Sequence, residues 1–335
     1  MVQPIHTIQP IHTIHTDSDI HTNSIQLAAA AEIQPVIGWT EITEKYLANL
    51  DVKPRSKETY RKALKQFAEW ITARNGAGNP PERADILAYK EHLRANYSAS
   101  TVSAYLTAVR GLFMWLEAEK QYPNIAAGIK GAKAAKGFKK DTLTTGQARR
   151  ILATVDGETL DQMRDYALVN LLLRTGLRTV EAERANIEDI RQEAGQALLY
   201  VQGKGRDSKD AFVVLTDATL EPIQDYLNAR KETDASAALF ASHSNRNGGG
   251  RLTTRSIRRI IKNSMRAAGI DSDRLTAHSL RHTAITFALL GGAGIQEAQA
   301  MARHSNINTT MIYAHNIQRI AAAPERSIDN YLANH

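Results

Sequence analysis

The sequence predicts a mainly helical chain of two domains, with a small antiparallel sheet in the second. Two observations predict this fold class, and a third excludes several kinds of site. The length of 335 residues suits two domains of roughly 150 residues each. Apolar residues recur at helical spacing through most of the chain, and two short strand-like runs occur in its second half. Cysteine is absent, which excludes disulfides, a cysteine nucleophile and cysteine-ligated metal sites.

The chain is moderately basic. It contains 42 Lys and Arg against 35 Asp and Glu, a net charge of +7, so nucleic acid is the first partner to test. Residues 1–35 contain no Lys or Arg and three acids, which leaves +10 on the rest of the chain. No apolar run is long enough for a membrane helix, and the N-terminus lacks the pattern of a signal peptide. We therefore expect a cytoplasmic protein without membrane contact.

Residues 1–35 are of low complexity. The hexapeptide Gln-Pro-Ile-His-Thr-Ile occupies residues 3–8 and again 9–14, and its pattern has no face to bury. We predict a flexible tail that a partner orders in part. Its four histidines could instead bind a metal.

Residues 36–128 predict a bundle of four helices. Ser56 is the expected cap of the long second helix, which Asn75-Gly76 should end. Later helices are expected from about residue 82 to residue 95 and from about residue 100. Apolar stripes mark the faces to be buried: Tyr60, Leu64, Phe67 and Ile71 on one helix, and Val102, Leu106, Val109, Phe113 and Leu116 on another.

Residues 129–141 are predicted to form a basic linker. Lysines stand there among small Gly and Ala residues, a composition typical of an extended, flexible connection. Lys130, Lys133 and Lys139 are expected to follow the phosphate backbone of DNA. A solvated linker without such a contact is the alternative.

Residues 142–322 predict an α+β domain. Ala197–Gln202 and Ala211–Leu215 are short apolar runs joined by a polar, glycine-containing turn, which predicts an antiparallel hairpin. Gly176 should interrupt a helix, and a short helix should resume near Thr179. The other helices are expected over residues 144–155, 160–174, 217–230, 253–268, 279–290, 295–303 and 306–314.

Two of the predicted helices carry cations on one face. The face opposite the first apolar stripe holds Lys57, Arg61 and Lys65. The helix expected over residues 253–268 is amphipathic, and its outer face holds Arg255, Arg258, Arg259 and Lys262. We predict that both faces bind DNA; ordinary solvated surfaces are the alternative.

Four groups of charged and polar residues stand out along the second domain. They are the Thr-Gly-Leu-Arg-Thr-Val-Glu run at 175–181, Lys204 in the predicted turn, the His-Ser-Leu-Arg-His run at 278–282, and His304 with Tyr313. Lys209 is the alternative to Lys204. Guanidinium groups suit phosphate oxygens, and a tyrosine can hold the phosphoryl group as an ester. Ionising a free phenol of pKa near 10 at pH 7 costs on the order of 4 kcal/mol, so cations or a base must assist.

This order of Arg, Lys, His-x-x-Arg, His and Tyr resembles the catalytic order of the tyrosine recombinase (phage integrase) family, including its Xer-like members. The local runs Thr-Gly-Leu-Arg-x-x-Glu and His-x-Leu-Arg-His-Thr are similar too. The resemblance implies a SAM-like core-binding domain followed by an α+β catalytic domain. One departure is Arg303, which stands where the family usually has glycine. It either tolerates the local conformation or adds a phosphate contact.

The resemblance implies six catalytic residues: Arg178, Lys204, His278, Arg281, His304 and Tyr313. The two arginines would clamp the nonbridging oxygens, and Lys204 would protonate the departing 5′ oxygen. His304 would donate a hydrogen bond to the phosphoryl group, and His278 would assist proton transfer at the tyrosine. Glu181 is expected to orient an arginine or to pack behind it. His282 is expected to be structural or to support the catalytic groups, and a direct contact with the site is the alternative. No metal or other cofactor is expected.

Residues 323–335 form the last predicted segment. Pro324 separates a short helix, Ser327–Leu332, from the preceding one. The resemblance implies that this helix docks on a neighbouring protomer, through the apolar pair Ile328 and Leu332. A helix that folds back on its own chain is the alternative.

The resemblance thus implies a site-specific recombinase that cuts and rejoins duplex DNA through a 3′-phosphotyrosine and a Holliday junction. The partners expected are DNA sites, three further copies of the chain and an accessory protein that sets direction. The enzyme would work in the cytoplasm with the nucleoid, and either integrate and excise a mobile element or resolve replicon dimers. A type IB-like topoisomerase and a DNA-binding protein without catalysis are the alternatives.

Overall fold

The structure is a computed structural model that describes residues 38–76, 78–133, 141–203, 206–244 and 247–334. The chain forms two compact units that divide after residue 134. The histidine-rich tail, Lys139 with most of the predicted linker, and Lys204 lie outside the described residues. The predicted segment boundaries remain predictions. Within the described part of the chain, no helix is long and apolar enough to cross a membrane.

The described part of the first unit contains the four predicted helices: α1 (Trp39–Asn49), α2 (Pro54–Asn75), α3 (Arg83–Asn96) and α4 (Ala99–Ala118). The cap expected for α2 is wrong. Pro54 is the first residue of the helix, so Ser56 lies inside its first turn. Proline suits this position because its fixed φ matches the helix and it has no N–H to leave unpaired.

Aromatic rings fill the centre of the first unit. Phe67 of α2 is fully buried, and its ring meets those of Trp39, Tyr89 and Phe113 edge-on. The predicted stripe of α4, from Val102 to Leu116, is buried throughout. Burial of this apolar surface holds the bundle together, and edge-to-face aromatic pairs add to it.

The second unit contains helices around a three-stranded sheet, which confirms the predicted α+β architecture. In chain order its elements are α5 (Thr145–Val155), α6 (Leu160–Thr175), α7 (Thr179–Arg184), β1 (Ile190–Glu193), β2 (Gln196–Val201), β3 (Ala211–Leu215), α8 (Asp217–Arg230), α9 (Thr254–Ala267), α10 (Ala277–Leu290), α11 (Ile295–Ala302), α12 (Asn308–Ala322) and α13 (Glu325–Ala333).

The sheet is antiparallel, in the order β1-β2-β3. β2 and β3 form the predicted hairpin, in a register that pairs Val201 with Ala211. The sequence does not predict β1, because its Ile-Arg-Gln-Glu run lacks apolar alternation and leaves three side chains exposed. β1 exists through its pairing with β2, across a tight turn in which Ala194 and Gly195 both have positive φ.

Three of the last four helices, α10, α12 and α13, are longer than the sequence predicts. α10 begins at Ala277, and α12 continues to residue 322 instead of ending near residue 314, because residues 315–322 contain no Gly or Pro that would end it. None of the residues of α13 is buried. Ile328 and Leu332 are 59% and 71% exposed, so α13 does not bury this pair against its own chain, contrary to the alternative raised above.

Candidate active site

A left-handed turn places Arg178 at the start of α7. Gly176 follows α6 with a φ of +63°, and a Cβ there would meet the side chain of Ala284 at 3.4 Å. Glycine therefore suits this position both by conformation and by the close approach of α10. Arg178 comes two residues later and directly precedes α7, as the sequence predicts.

Glu181 is fully buried beside Arg178 and accepts hydrogen bonds from two arginines. Arg178 donates its backbone N–H to Oε2 at 2.8 Å and its Nη1 to Oε1 at 2.7 Å. Arg303 donates its Nη2 to Oε2 at 2.8 Å. Burial raises the pKa of Glu181, but the charge of Arg303 and the charge and hydrogen bonds of Arg178 hold that pKa below its usual value. The carboxyl group is therefore ionised at neutral pH.

Arg281 projects from α10 and joins two segments of the site. Its guanidinium donates to the carbonyl oxygen of Gly176 at 2.6 Å and to that of Ala302. The residue is 3% exposed. Burial and the charges of Arg178 and Arg303 lower the pKa of Arg281 to about 9, which still leaves the group charged at pH 7. The structure thus buries a cation whose partners here are two neutral carbonyls.

Arg303 ends α11 in the left-handed region, with a φ of +54°. This backbone conformation favours glycine, which explains the residue that the family usually has here. The arginine adopts it nonetheless. Its side chain turns inward to Glu181 and is 11% exposed.

Tyr313 lies on α12 and is 3% exposed. Its hydroxyl group shares a hydrogen bond with Nδ1 of His282. The ring of His278, to which the sequence assigns proton transfer at the tyrosine, stands edge-on against the ring of His282, with centroids 4.6 Å apart. The contact of His282 with the tyrosine hydroxyl is a feature that the sequence reasoning missed. The spacing of the two histidines, four residues apart on one helix face, makes both of them candidates for this contact but does not choose between them.

His304 follows α11 and is oriented by a hydrogen bond between its Nδ1 and Oγ1 of Thr310, 2.9 Å long. Thr310 is fully buried, and the sequence reasoning did not single it out. The ring of His304 stacks on that of Tyr313 with centroids 6.5 Å apart. The threonine thereby fixes the imidazole beside the tyrosine.

These side chains line one cleft of about 340 Å³. Its lining consists of Arg178, His278, Arg281, His282, Arg303, His304, Ser305, Thr309, Ile312 and Tyr313. The structure thus brings together five of the six predicted catalytic residues, and the sixth, Lys204, lies outside the described residues. Its alternative, Lys209, forms an ion pair with the buried carboxylate of Asp189. A cleft with three arginines suits a phosphate group.

The surroundings of the cleft set its protonation states. Burial is the main cause that lowers the pKa of His282 and of His304 to about 4, and nearby arginine and histidine charges act in the same direction. Burial also raises the pKa of Tyr313 to about 12, which the charge of Arg281 opposes. At neutral pH both imidazoles are therefore neutral and the tyrosine is protonated.

The predicted DNA-binding cations differ in their surroundings. On α2, Arg61 pairs with Glu44 and Glu58, and Lys65 lies 3.8 Å from Glu69. On α9, three arginines are exposed, and no acidic partner is found for them among the residues that the structure describes: Arg255, Arg258 and Arg259. Lys262 donates to the carbonyl oxygen of Ser272, while Lys57 is partly buried and Lys130 and Lys133 are exposed. The DNA-binding assignment of these residues stays a prediction.

A helical unit followed by an α+β unit, with paired arginines, histidines and a buried tyrosine meeting in one cleft, defines a tyrosine recombinase. Residues 141–319 match the phage integrase family, and residues 44–120 match the N-terminal SAM-like domain of phage integrases. The chain belongs to the phage integrase family and is an enzyme of site-specific recombination.

Relatives support this assignment over most of the chain. The sequence is 30% identical to tyrosine recombinase XerA of Pyrococcus furiosus, over 82% of this chain and 89% of that protein. It is 29% identical to tyrosine recombinase XerD of Bifidobacterium longum, over 89% of this chain and 98% of that protein. The chain is therefore similar to Xer recombinases across both units.

Solved structures share the fold. XerH site-specific recombinase bound to palindromic difH substrate, in a post-cleavage complex, matches with a TM-score of 0.68 at 20% identity, over 86% of this chain and 85% of that one. A lambda integrase tetramer bound to a Holliday junction matches with a TM-score of 0.64 at 18% identity, over 84% and 78%. The predicted pairing of a SAM-like domain with a recombinase catalytic domain is thereby confirmed.

Proposed function

We propose that this recombinase cuts one strand of duplex DNA by attack of Tyr313 on a phosphodiester. The bond from Oη to phosphorus forms while the bond from phosphorus to the 5′ oxygen breaks, which leaves a 3′-phosphotyrosyl ester. The electron pair of the broken bond stays on the 5′ oxygen, which takes up a proton. The observation that carries the proposal is the buried Tyr313 hydroxyl in a cleft walled by Arg178 and Arg281.

The reverse reaction joins strands. A 5′-hydroxyl from a second duplex attacks the phosphotyrosyl ester and releases the tyrosine, so the bond energy is conserved and no ATP is needed. Exchange of one strand from each duplex gives a Holliday junction. The same chemistry serves integration and excision of a mobile element and resolution of replicon dimers.

Two arginines bind the nonbridging oxygens in this proposal. The phosphorane-like transition state carries more negative charge than the phosphodiester, so fixed cations stabilise it more than the substrate. Arg178 and Arg281 stand on different elements, before α7 and on α10, and both line the cleft. His304, oriented by Thr310, donates a further hydrogen bond to the phosphoryl group.

The tyrosine proton passes to Nδ1 of His282. With pKa values of about 12 for Tyr313 and about 4 for His282, complete transfer before DNA arrives costs on the order of 10 kcal/mol at about 1.36 kcal/mol per pKa unit. A phosphate in the cleft favours the imidazolium, and transfer during the attack avoids a separate phenolate. His278 adjoins His282 and assists this step, the role that the sequence assigns to it.

Lys204 is the proposed acid for the departing 5′ oxygen. Lys209 is less suited, because its ammonium group already forms an ion pair with Asp189. Lys209 would have to break its ion pair with Asp189 before it could protonate the 5′ oxygen, and breaking that pair costs free energy.

We propose duplex DNA as the substrate and a tetramer as the assembly that exchanges strands. The XerH structure holds a difH substrate, and a lambda integrase tetramer holds a Holliday junction. The exposed arginines of α9 suit a phosphate backbone, and the exposed apolar pair of α13 suits a neighbouring protomer. An accessory protein that sets direction is a further proposed partner, and work on DNA would keep the enzyme with the nucleoid in the cytoplasm.

The two alternatives from the sequence gain no support. The relatives and structures described above are recombinases and an integrase, which favours recombination over a type IB-like topoisomerase. Five predicted catalytic residues meet in one cleft, which argues against a protein that only binds DNA.

A suicide substrate tests the proposal. A duplex carrying the recombination site, mapped by footprinting in the host, is nicked near the cleavage point so that the cleaved fragment diffuses away. We expect the wild type to accumulate a detergent-resistant protein–DNA adduct, and Tyr313→Phe to bind the duplex without forming it. Tyr97→Phe, at an exposed tyrosine of the first unit that does not line the cleft, is the matched control and should behave as wild type. An adduct with Tyr313→Phe would reject the proposal, and relaxation of supercoiled DNA without synapsis would favour the topoisomerase.

A further inference from the structure

Arg303 occupies a position that is unfavourable for an arginine. Its φ of +54° lies in the left-handed region, where an L side chain is strained. Its Nε is buried without a hydrogen-bond partner among the described residues. Both features cost stability, and glycine would avoid both. A residue that costs stability at the wall of an active cleft calls for a functional explanation.

The contacts of Arg303 point to Glu181. Nη2 donates to Oε2 of that carboxylate at 2.8 Å, and Nη1 donates to the carbonyl oxygen of Met301 at 2.6 Å, which holds the guanidinium in place. The same carboxylate accepts two hydrogen bonds from Arg178. Glu181 is 0% exposed, so water does not screen its charge.

The charge balance changes with Arg303. Without it, Glu181 would neutralise Arg178, and Arg281 would supply the net positive charge of the group. With it, the three arginines and the one carboxylate carry +2 instead of +1. Burial of these groups makes the extra unit of charge effective, because the local dielectric is low.

We propose that Arg303 is a positioning residue that neutralises Glu181, so that Arg178 presents its full charge to the scissile phosphate. Arg303 acts through the carboxylate and need not touch the DNA. The inference rests on the proposed function, since it concerns the same cleft and the same transfer of a phosphoryl group to Tyr313.

Single substitutions test whether the charge matters. Arg303→Gln should form the covalent adduct about tenfold more slowly than the wild type, and Arg303→Lys should retain most of the rate because it keeps the charge. Arg303→Gly relieves the backbone strain but also removes the charge, so it should be about as slow as Arg303→Gln. Arg149→Gln, an exposed arginine of α5 outside the cleft lining, is the matched control and should keep the wild-type rate. Wild-type rates for Arg303→Gln and Arg303→Gly would overturn the inference.

A neutral phosphate analogue separates a charge effect from a structural one. With a methylphosphonate at the cleavage point, no negative charge needs to be neutralised on the substituted oxygen. The rate ratio between wild type and Arg303→Gln should then shrink from about tenfold to about two-fold. A ratio that is the same on both substrates would mean that Arg303 only supports the fold of the cleft, and would overturn the inference.

Removal of the Glu181 carboxylate tests whether Arg303 acts through that group. Glu181→Gln keeps an acceptor for Arg178 but removes the charge that Arg303 neutralises. The double variant Arg303→Gln/Glu181→Gln should therefore be faster than Arg303→Gln alone, whereas independent roles would make the two losses multiply. A multiplied loss would overturn the inference. The proposed function fails in a different way, because the wild type itself would then form no adduct.

Discussion

The arginines of the cleft and those on the outer face of α2 carry the same formal charge in different surroundings. On α2, the side chain of Arg61 is 41% exposed and binds two carboxylates. In the cleft, Arg281 is 3% exposed and donates to two backbone carbonyls, while Arg178 and Arg303 share one carboxylate. The first arrangement cancels positive charge, and the second concentrates it.

This difference teaches that basic composition alone does not make an anion site. An exposed ion pair is screened by water and salt and is worth up to about 1 kcal/mol. A buried cation with neutral partners attracts a phosphate strongly, because nearby atoms screen its field weakly. Under the proposed function, the cleft gains affinity for phosphate at the expense of stability, and the α2 face gains stability at the expense of affinity for DNA.

The largest effect is expected when lysine replaces an arginine of the cleft, and the same substitution on α2 is the comparison. Arg281→Lys keeps the charge but loses the planar guanidinium, which can bind two carbonyls and donate to a phosphate at the same time. The rate of adduct formation should therefore fall about 10²–10³-fold. Arg61→Lys should change that rate by less than about two-fold. The comparison is measured in single-turnover assays at saturating protein. Equal effects of the two substitutions would break it.

The second largest effect is expected from acid, which should lower the free energy of unfolding. His282 and His304 have a pKa of about 4 in the folded protein and of 6.5 as unperturbed side chains, so the unfolded chain binds more protons between these values. Stability should therefore fall as the pH drops from 6.5 to 4, by on the order of 1 kcal/mol for each histidine, because solvent screens these partly exposed side chains.

Urea unfolding of the full chain at pH 7 and pH 4.5 measures this acid dependence. His304→Gln should reduce the loss of unfolding free energy between the two pH values, whereas Arg61→Lys should leave it as in the wild type. A loss that does not change in His304→Gln would show that burial and the charges of the cleft do not oppose protonation of this histidine.

DNA affinity should separate the α9 face from the α2 face. The variant with Arg255, Arg258 and Arg259 replaced by Gln should bind duplex DNA about tenfold more weakly, and the slope of log K against log salt concentration should shrink by about 2 to 3. The matched variant with Lys57, Arg61 and Lys65 replaced by Gln should reduce the slope by about 1, because two of these cations already face carboxylates. Affinities measured between about 50 and 200 mM salt test this, and equal slopes would contradict it.

The smallest effect is expected for the stability of the α2 pairs. Arg61→Gln should lower the free energy of unfolding only slightly, since both of its ion pairs are exposed. The difference should vanish in about 1 M salt. Thermal unfolding at low and high salt measures it, and a loss that does not depend on salt would mean that the side chain acts by packing.

Most of the fold was predictable, because it follows from local patterns. The apolar stripes of α2 and α4 predicted their buried faces, and the two apolar runs predicted the hairpin of β2 and β3. The misses also have local causes. The polar strand β1 depends on pairing with β2 rather than on its own residues. The second helix begins at Pro54, two residues before the expected cap, Ser56.

The residues of the site were also predictable, but their contacts were not. Helical spacing placed His278 and His282 on one face, yet it did not show which ring meets the tyrosine hydroxyl. Likewise, Thr310 orients His304 from a buried position that no motif marks. Such contacts depend on how α10, α11 and α12 pack, and helix packing is not a property of any one segment.

The sequence by itself determined the family of this protein, its two helical regions and the order of its candidate catalytic residues. It also fixed the number of charged residues. The tertiary structure alone decided which charges are cancelled and which remain available to a phosphate. The reason is distance: Arg303 and Glu181 are 122 positions apart in the chain and 2.8 Å apart in the cleft, and the energy of a charge depends on the second separation.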